Sequence, residues 1–108
     1  SMLIQIPVEN ALKHALKDKE GSRRLWITAR RVPGGIDIRI TDNGGGFRPD
    51  SLNRGTGTGL KVIMQTIQIL NQKNREAIDV SIRNVSLADG EEGCCVAFRL
   101  PDHYDYAL

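Results

Sequence analysis

The fold is decided by residues 36–60, which read IDIRITDNGGGFRPDSLNRGTGTGL. Three isoleucines alternate with polar residues up to Asp42, and this is the pattern of a β-strand with one apolar face. A glycine-rich stretch without periodicity follows, and Leu60 then opens a helical pattern of apolar residues. The stretch therefore predicts a strand and a helix joined by a glycine-rich loop.

A first helix is predicted upstream, over residues 3–16, because apolar side chains recur there every three or four residues. Pro7 is compatible with that helix only in or near its first turn, and Gly21 supplies a stop. The side predicted to pack on the sheet carries Ile4, Val8, Ala11, Leu12 and Ala15.

The other strands complete a single domain over residues 1–108. Residues 25–32 are rich in β-formers, and the turn Pro33-Gly34-Gly35 joins them to the isoleucine strand as a hairpin. Alternation returns at residues 78–82, and a last strand covers residues 94–100. Hairpins rather than parallel crossovers predict an α+β fold, with two layers and helices on one face of a mixed, largely antiparallel sheet.

Composition excludes several classes of protein. Charged residues make up 26% of the 108 residues and the net charge is only +2, so a nucleic-acid-binding domain is a poor fit. No apolar run reaches the roughly 18 to 20 residues that span a bilayer. The two cysteines, Cys94 and Cys95, are adjacent and point to opposite faces of a strand, so we interpret them as unpaired core residues.

Polar residues gather on the other side of the first helix. At about 100° per residue, Asn10, Lys13, His14 and Lys17 fall on one wedge, opposite the apolar side. A solvated helix face has the same composition, so the wedge alone does not establish a site.

Two glycine-rich segments give this wedge a context. Asp42 ends a strand, and the glycines after it allow backbone to approach a ligand closely, where a carboxylate accepts a hydrogen bond from an exocyclic amine such as that of adenine. A plain turn is the competing interpretation of Asp-Asn-Gly. Residues 55–60 lie at the start of a helix, where free N–H groups and the helix dipole favour phosphate. Neither a dinucleotide-binding crossover nor a P-loop ending is present.

The three segments together resemble the N box, G1 box and G2 box of the superfamily of gyrase, heat-shock chaperone, histidine kinase and MutL ATPases, in that order. Residues 7–14, PVENALKH, resemble the N box of LytS-type bacterial sensor histidine kinases, and residues 55–61 resemble their G2 box. The resemblance covers nearly the whole chain and implies the Bergerat-type ATP-binding fold.

Carried over by motif position, the resemblance implies ATP and Mg²⁺ as ligands. Asn10 would bind Mg²⁺ through its amide oxygen, Lys13 would meet phosphate, and Asp42 would hold the adenine amine. Residues 47–54 would form a short ATP lid, with Arg48 and Arg54 as candidate phosphate contacts. Nucleotide contacts are further implied for His14, Gly44, Gly46, Gly55, Gly57, Gly59 and Leu60.

Glu9 has no role assigned by the resemblance. Hydrolytic relatives carry a glutamate one helical turn before the metal-binding asparagine, and Ile6 stands at that position here. Glu9 therefore either orders water on the metal or is a structural partner of its neighbours.

The implied function is transfer of the ATP γ-phosphoryl group to a histidine on a separate dimerisation domain, for relay to a response regulator. The resemblance further implies a cytoplasmic domain without direct membrane contact, in a homodimeric parent anchored in the inner membrane. We expect an N-terminally truncated chain, because relatives have a strand before the N box and an acceptor histidine that neither His14 nor His103 provides. Such a chain is not expected to phosphorylate itself.

Two alternatives remain. An anti-sigma-type serine kinase of the same superfamily would share these boxes, although residues 7–14 favour a sensor kinase. A degenerate module that only docks partners would bind no nucleotide.

Overall fold

The computed structural model describes residues 2–17, 19–45 and 56–107, with the side chains of residues 2, 14, 15 and 56–60 outside that description. In chain order the elements are α1 (Met2–Asn10), a π-helical turn (Ala11–Ala15), β1 (Leu25–Val32), β2 (Gly35–Asp42), α2 (Thr56–Gln72), β3 (Asp79–Ser86) and β4 (Glu92–Pro101).

The four strands form one sheet in the order β1-β2-β4-β3, and all three pairings are antiparallel. The predicted hairpin is confirmed, with Val32 opposite Gly35 across a two-residue connection. Pro33 fixes φ near −65° and Gly34 has a φ of 79°, which together match a type II turn.

Both helices pack on one face of this sheet, as the sequence predicts for an α+β sandwich. Ile40, Val96 and Phe98 share that face because their registers coincide across β2 and β4. Phe98 is fully buried at the centre, where Ile63 of α2 and Leu3 of α1 meet it in a single apolar cluster. The two helices also contact each other and form the second layer.

The first helix differs from its prediction in two ways. Pro7 is the sixth residue of α1 rather than a first-turn residue, so the Leu3 carbonyl lacks its helical N–H partner. After Asn10 the backbone widens into a π-helical turn, in which Leu16 N–H donates to Ala11 O at 2.8 Å. The i→i+5 spacing rotates the following side chains, and Leu12, predicted to pack on the sheet, is 56% exposed.

The second helix begins at Thr56, before Leu60, where the helical pattern of apolar residues opens. It buries Ile63, Ile67 and Leu70 as expected. Among the described residues, no helix is long and apolar enough to cross a membrane. The chain after β4 packs back on the end of α2: Tyr104 donates a hydrogen bond to Asn71 Oδ1 at 2.5 Å.

Candidate functional site

Asp42 is a carboxylate placed by β2 at the edge of the helix-covered face. Its side chain is only 7% exposed, and its Oδ1 accepts a hydrogen bond from Gly44 N–H at 2.9 Å. Burial raises the pKa of Asp42 above its ordinary value of 3.8, against the lowering effect of hydrogen bonds from the backbone of Gly44 and Cys94. A buried carboxylate is costly for the fold, so Asp42 is a candidate for binding a hydrogen-bond donor of a ligand.

The wall behind Asp42 is made by β4. Gly93 lies so close that a Cβ there would overlap the Asp42 carbonyl oxygen, so only glycine lets the two strands approach. Cys94 stands directly opposite Asp42 in the register and is half-buried. Burial first, then the charge of Asp42, raises the pKa of Cys94 to about 12, so its side chain is a neutral thiol.

Sequence reasoning missed these two residues. Both cysteines are unpaired and Cys95 is buried, as predicted for core residues. Cys94, however, lies directly opposite Asp42, and only the strand register reveals this. The strand predicted over residues 94–100 begins earlier, because Gly93 is part of β4.

The turn after Asp42 depends on glycine at position 45. Gly45 has a φ of 95°, a conformation that favours glycine, and its N–H donates to Glu92 O at 3.0 Å. Asn43, unassigned by the sequence, is 1% exposed and turns its side chain away from the pocket, toward Ser22 and Arg24. Gly46 lies outside the described residues.

The N-box candidates lie where α1 becomes π-helical. Asn10 is the last α-helical residue and is half-buried, and Lys13 is 68% exposed within the π-helical turn. Glu9 accepts a hydrogen bond from Gln5 at 2.9 Å and lies 3.9 Å from the Lys13 ammonium, which is a weak surface contact. The predicted single wedge assumed 100° per residue, and the π-helical turn breaks that spacing after Asn10. The side chain of His14 lies outside the described residues.

The phosphate candidates fall at the start of α2. Thr56, Gly57, Thr58 and Gly59 are its first four residues, and the N–H groups of these positions have no partner within the helix. Leu60 follows in the same turn. Gly55 and the proposed lid, residues 47–54, lie outside the described residues, so the structure does not test them.

The candidate site thus offers a hydrogen-bond acceptor at Asp42 and N–H donors in the first turn of α2. In the described ranges, no three side chains of His, Cys, Asp or Glu gather to hold a metal by themselves. An ion bound near Asn10 would therefore depend on ligands brought by water and phosphate, which suits Mg²⁺.

Comparison with known proteins identifies a family and two similar proteins. A family model described as histidine kinase-, DNA gyrase B- and HSP90-like ATPase matches residues 2–104. Sensor protein LytS of Staphylococcus saprophyticus is 29% identical over 102 residues, covering 93% of this chain and 17% of that protein. Tetrathionate sensor histidine kinase TtrS of Salmonella typhimurium is 33% identical over 105 residues, covering 89% of this chain and 17% of that protein. This chain thus spans a small part of each relative's length.

Proposed function

The chain belongs to the histidine kinase-, DNA gyrase B- and HSP90-like ATPase family, and we propose that it is the ATP-binding catalytic domain of a two-component sensor histidine kinase. The observation that carries the proposal is Asp42, a buried carboxylate at the end of β2 with a glycine turn beside it. Both relatives named above are sensor proteins, which favours a sensor kinase over a serine kinase of the same superfamily.

Adenine binding is assigned to the surface around Asp42, where the end of β2 pairs with β4. One oxygen of Asp42 is engaged by Gly44 N–H, and a carboxylate has two oxygens and several lone pairs, so it also accepts from the adenine amine. Because this acceptor is already desolvated, ligand binding repays a cost that the fold has incurred. The resemblance assigns Gly44 and Gly46 to the adenine site, and the neutral Cys94 thiol lies opposite Asp42.

Phosphate binding is assigned to the first turn of α2 and to the N-box helix. The first N–H groups of α2, at residues 56–59, lie where a helix dipole stabilises negative charge, and the resemblance to the G2 box adds Gly55 to this set. Lys13 exchanges its weak contact with Glu9 for the phosphate, and His14 lies beside the nucleotide.

Magnesium fits the donor set through Asn10. An amide oxygen is a hard ligand, and Mg²⁺ keeps most of its coordination sphere in water and phosphate oxygens. If bound, the ion would be held by Asn10 and would supply positive charge that neutralises the charge developing on the phosphates during transfer. The chain's own residues contribute by holding the triphosphate in one orientation, so that the γ-phosphoryl group meets an acceptor histidine on another domain.

This proposal places the remaining functions in the parent protein. The dimerisation domain with the acceptor histidine and a response regulator are its partners, and the parent is a membrane-anchored homodimer with this domain in the cytoplasm.

Calorimetric titration with a non-hydrolysable ATP analogue tests the proposal. We expect saturable one-to-one binding by the wild-type chain in Mg²⁺. Asn10→Ala is expected to abolish most of the Mg²⁺ dependence, because the metal loses its protein ligand. Lys13→Met is expected to weaken binding in Mg²⁺ and in EDTA alike, because it removes a direct phosphate contact. Circular dichroism of each variant verifies folding, and a folded wild type that binds no analogue would support the docking-module alternative.

A further inference from the structure

The segment after the N-box helix is joined by an ion pair to the residue directly before β4. Lys19 Nζ lies 2.6 Å from Glu91 Oε2, and the two side chains are only 17% and 29% exposed. Of the ion pairs in the described part of the chain, this is the one with both side chains less than a third exposed. Such a pair is screened less by solvent and salt than an exposed one, so its geometry is better defined.

Glu91 is shared with the turn that carries Asp42. Asn43 Nδ2 lies 3.4 Å from both Glu91 carboxylate oxygens and donates to Ser22 O at 2.9 Å, while Asn43 Oδ1 accepts from Arg24 N–H at 2.8 Å. The Arg24 guanidinium adds a contact of 3.1 Å to Glu91. Since Asn43 is 1% exposed, these bonds are made away from water and hold the turn firmly.

The other side of the pair leads directly to the N-box helix. Lys19 N–H donates to Leu16 O at 3.3 Å, and Leu16 N–H closes the π-helical turn on Ala11. Leu16 is 4% exposed, so it anchors this end of the helix in the core. A continuous path of bonds therefore runs from the helix that carries Asn10 and Lys13, through Lys19 and Glu91, to the residue after Asp42.

From this path we infer that the Lys19–Glu91 pair is a latch that positions the metal- and phosphate-binding helix relative to the adenine-binding turn. The inference rests on the proposed function, because it assigns the two ends of the path to two parts of one nucleotide. Lys19 and Glu91 are positioning residues: neither touches the nucleotide, and their effect is to fix the span between the adenine and phosphate contacts. Opening the latch leaves each contact in place but misaligns one with the other.

This arrangement predicts a selective effect on ligands that reach both ends. A misplacement on the order of 1 Å costs up to about a hundredfold in a positioned interaction, so Lys19→Met is expected to weaken the Mg²⁺-bound ATP analogue about tenfold. Adenosine contacts only the Asp42 end, and its affinity is expected to change less than about twofold. Lys19→Arg keeps the charge and is expected to restore binding of the analogue.

The experiment measures the dissociation constants of adenosine and of the Mg²⁺-bound analogue for wild type, Lys19→Met, Lys19→Arg, Glu91→Gln and Arg31→Met. Arg31 is the control for loss of an ion pair elsewhere, because it pairs with Asp102 at the same 2.6 Å distance but is more exposed and lies at the opposite end of the sheet. The latch is supported by a rise in the ratio of the analogue's dissociation constant to that of adenosine. This rise is expected for Lys19→Met and Glu91→Gln but not for Lys19→Arg or Arg31→Met.

Two outcomes overturn the latch and leave the proposed function intact. One is an unchanged ratio in Lys19→Met while wild type binds both ligands. The other is a parallel loss of both ligands in Lys19→Met, with lower thermal stability, which would make the pair a purely structural contact. Failure of the folded wild type to bind either ligand would instead overturn the proposed function, and the latch with it.

Discussion

Substitution of Asp42 by asparagine separates the cost of this residue to the fold from its use in binding. The side chain is 7% exposed, and Asn retains its size and an oxygen able to accept from Gly44 N–H. What changes is the charge and one acceptor, because the amide presents N–H donors where the carboxylate accepted. A hydrogen bond to a charged group contributes about 1.5–3 kcal/mol, so the affinity for an adenine nucleotide is expected to fall roughly 10- to 150-fold.

Stability is expected to move the other way, or not at all. Because burial raises the pKa of Asp42 in the folded chain above 3.8, the folded state holds this proton more tightly than the unfolded state. The stability that this group contributes is fully present below about pH 3.8 and is lost as the pH rises through the folded pKa. At pH 7 the wild type therefore retains a buried charge that Asp42→Asn removes.

Two assays read the two effects. Calorimetry gives the affinity, and melting of both proteins between pH 3 and 7 gives the difference in stability, with the effects of other titrating groups common to both. The melting temperature of Asp42→Asn is expected to be equal to wild type at the acid end and equal or higher at pH 7. A variant that binds as wild type does would refute the adenine contact. A drop of more than roughly 4 °C at pH 7, which is about 1 kcal/mol for a domain of this size, would refute the buried-charge argument.

Three further predictions concern the surroundings of the site. Gly93→Ala is expected to destabilise the chain by about 1–3 kcal/mol in urea denaturation, since its Cβ overlaps the Asp42 carbonyl; unchanged stability would show that the strands separate freely. Cys94 is expected to resist alkylation at pH 8, because its pKa of about 12 leaves no thiolate, and nucleotide should slow the reaction further; rapid modification followed by mass spectrometry would contradict this. Asn71→Ala is expected to cost about 1–3 kcal/mol, because it leaves the Ile78 N–H and C=O without their side-chain partners; thermal melting measures it, and a cost near zero would mean that water replaces both bonds.

Much of the fold follows from period alone. Alternation at period two predicts β2 and β3, and the three-and-four spacing of Ile63, Ile67 and Leu70 predicts the buried side of α2. These signals are strong because each residue's face is fixed by local backbone geometry. The resemblance to the ATPase family is confirmed by the family model, which matches residues 2–104.

The first helix shows where period fails. A helical wheel assumes one turn angle throughout, and the π-helical turn after Asn10 rotates Leu12 to the surface. The spacing of the apolar residues gives no signal of that change, which the hydrogen bond from Leu16 N–H to Ala11 O reveals. The relative placement of Asn10 and Lys13 was therefore outside the reach of the sequence.

Contacts between distant segments were equally hidden. Cys94 borders Asp42 and Glu91 joins Lys19 because of strand register and of how the chain closes, and neither leaves a spacing pattern. Asn43 illustrates the point: as part of Asp-Asn-Gly it looks like a turn residue, yet its side chain is the junction of three segments. Short motifs thus predicted candidate site residues, while contacts between distant segments are seen only in the structure.

The central claim is that Asp42 binds adenine, and the most direct measurement compares ADP with IDP on the wild-type chain in Mg²⁺ by calorimetry. The two ligands share their phosphates and ribose, but inosine carries an oxygen where adenine has the amine that Asp42 accepts from. The account predicts one-to-one binding of ADP and at least about tenfold weaker binding of IDP, because an unpaired buried acceptor discriminates strongly. Equal affinity for the two nucleotides, or binding of neither by a folded chain, would contradict it.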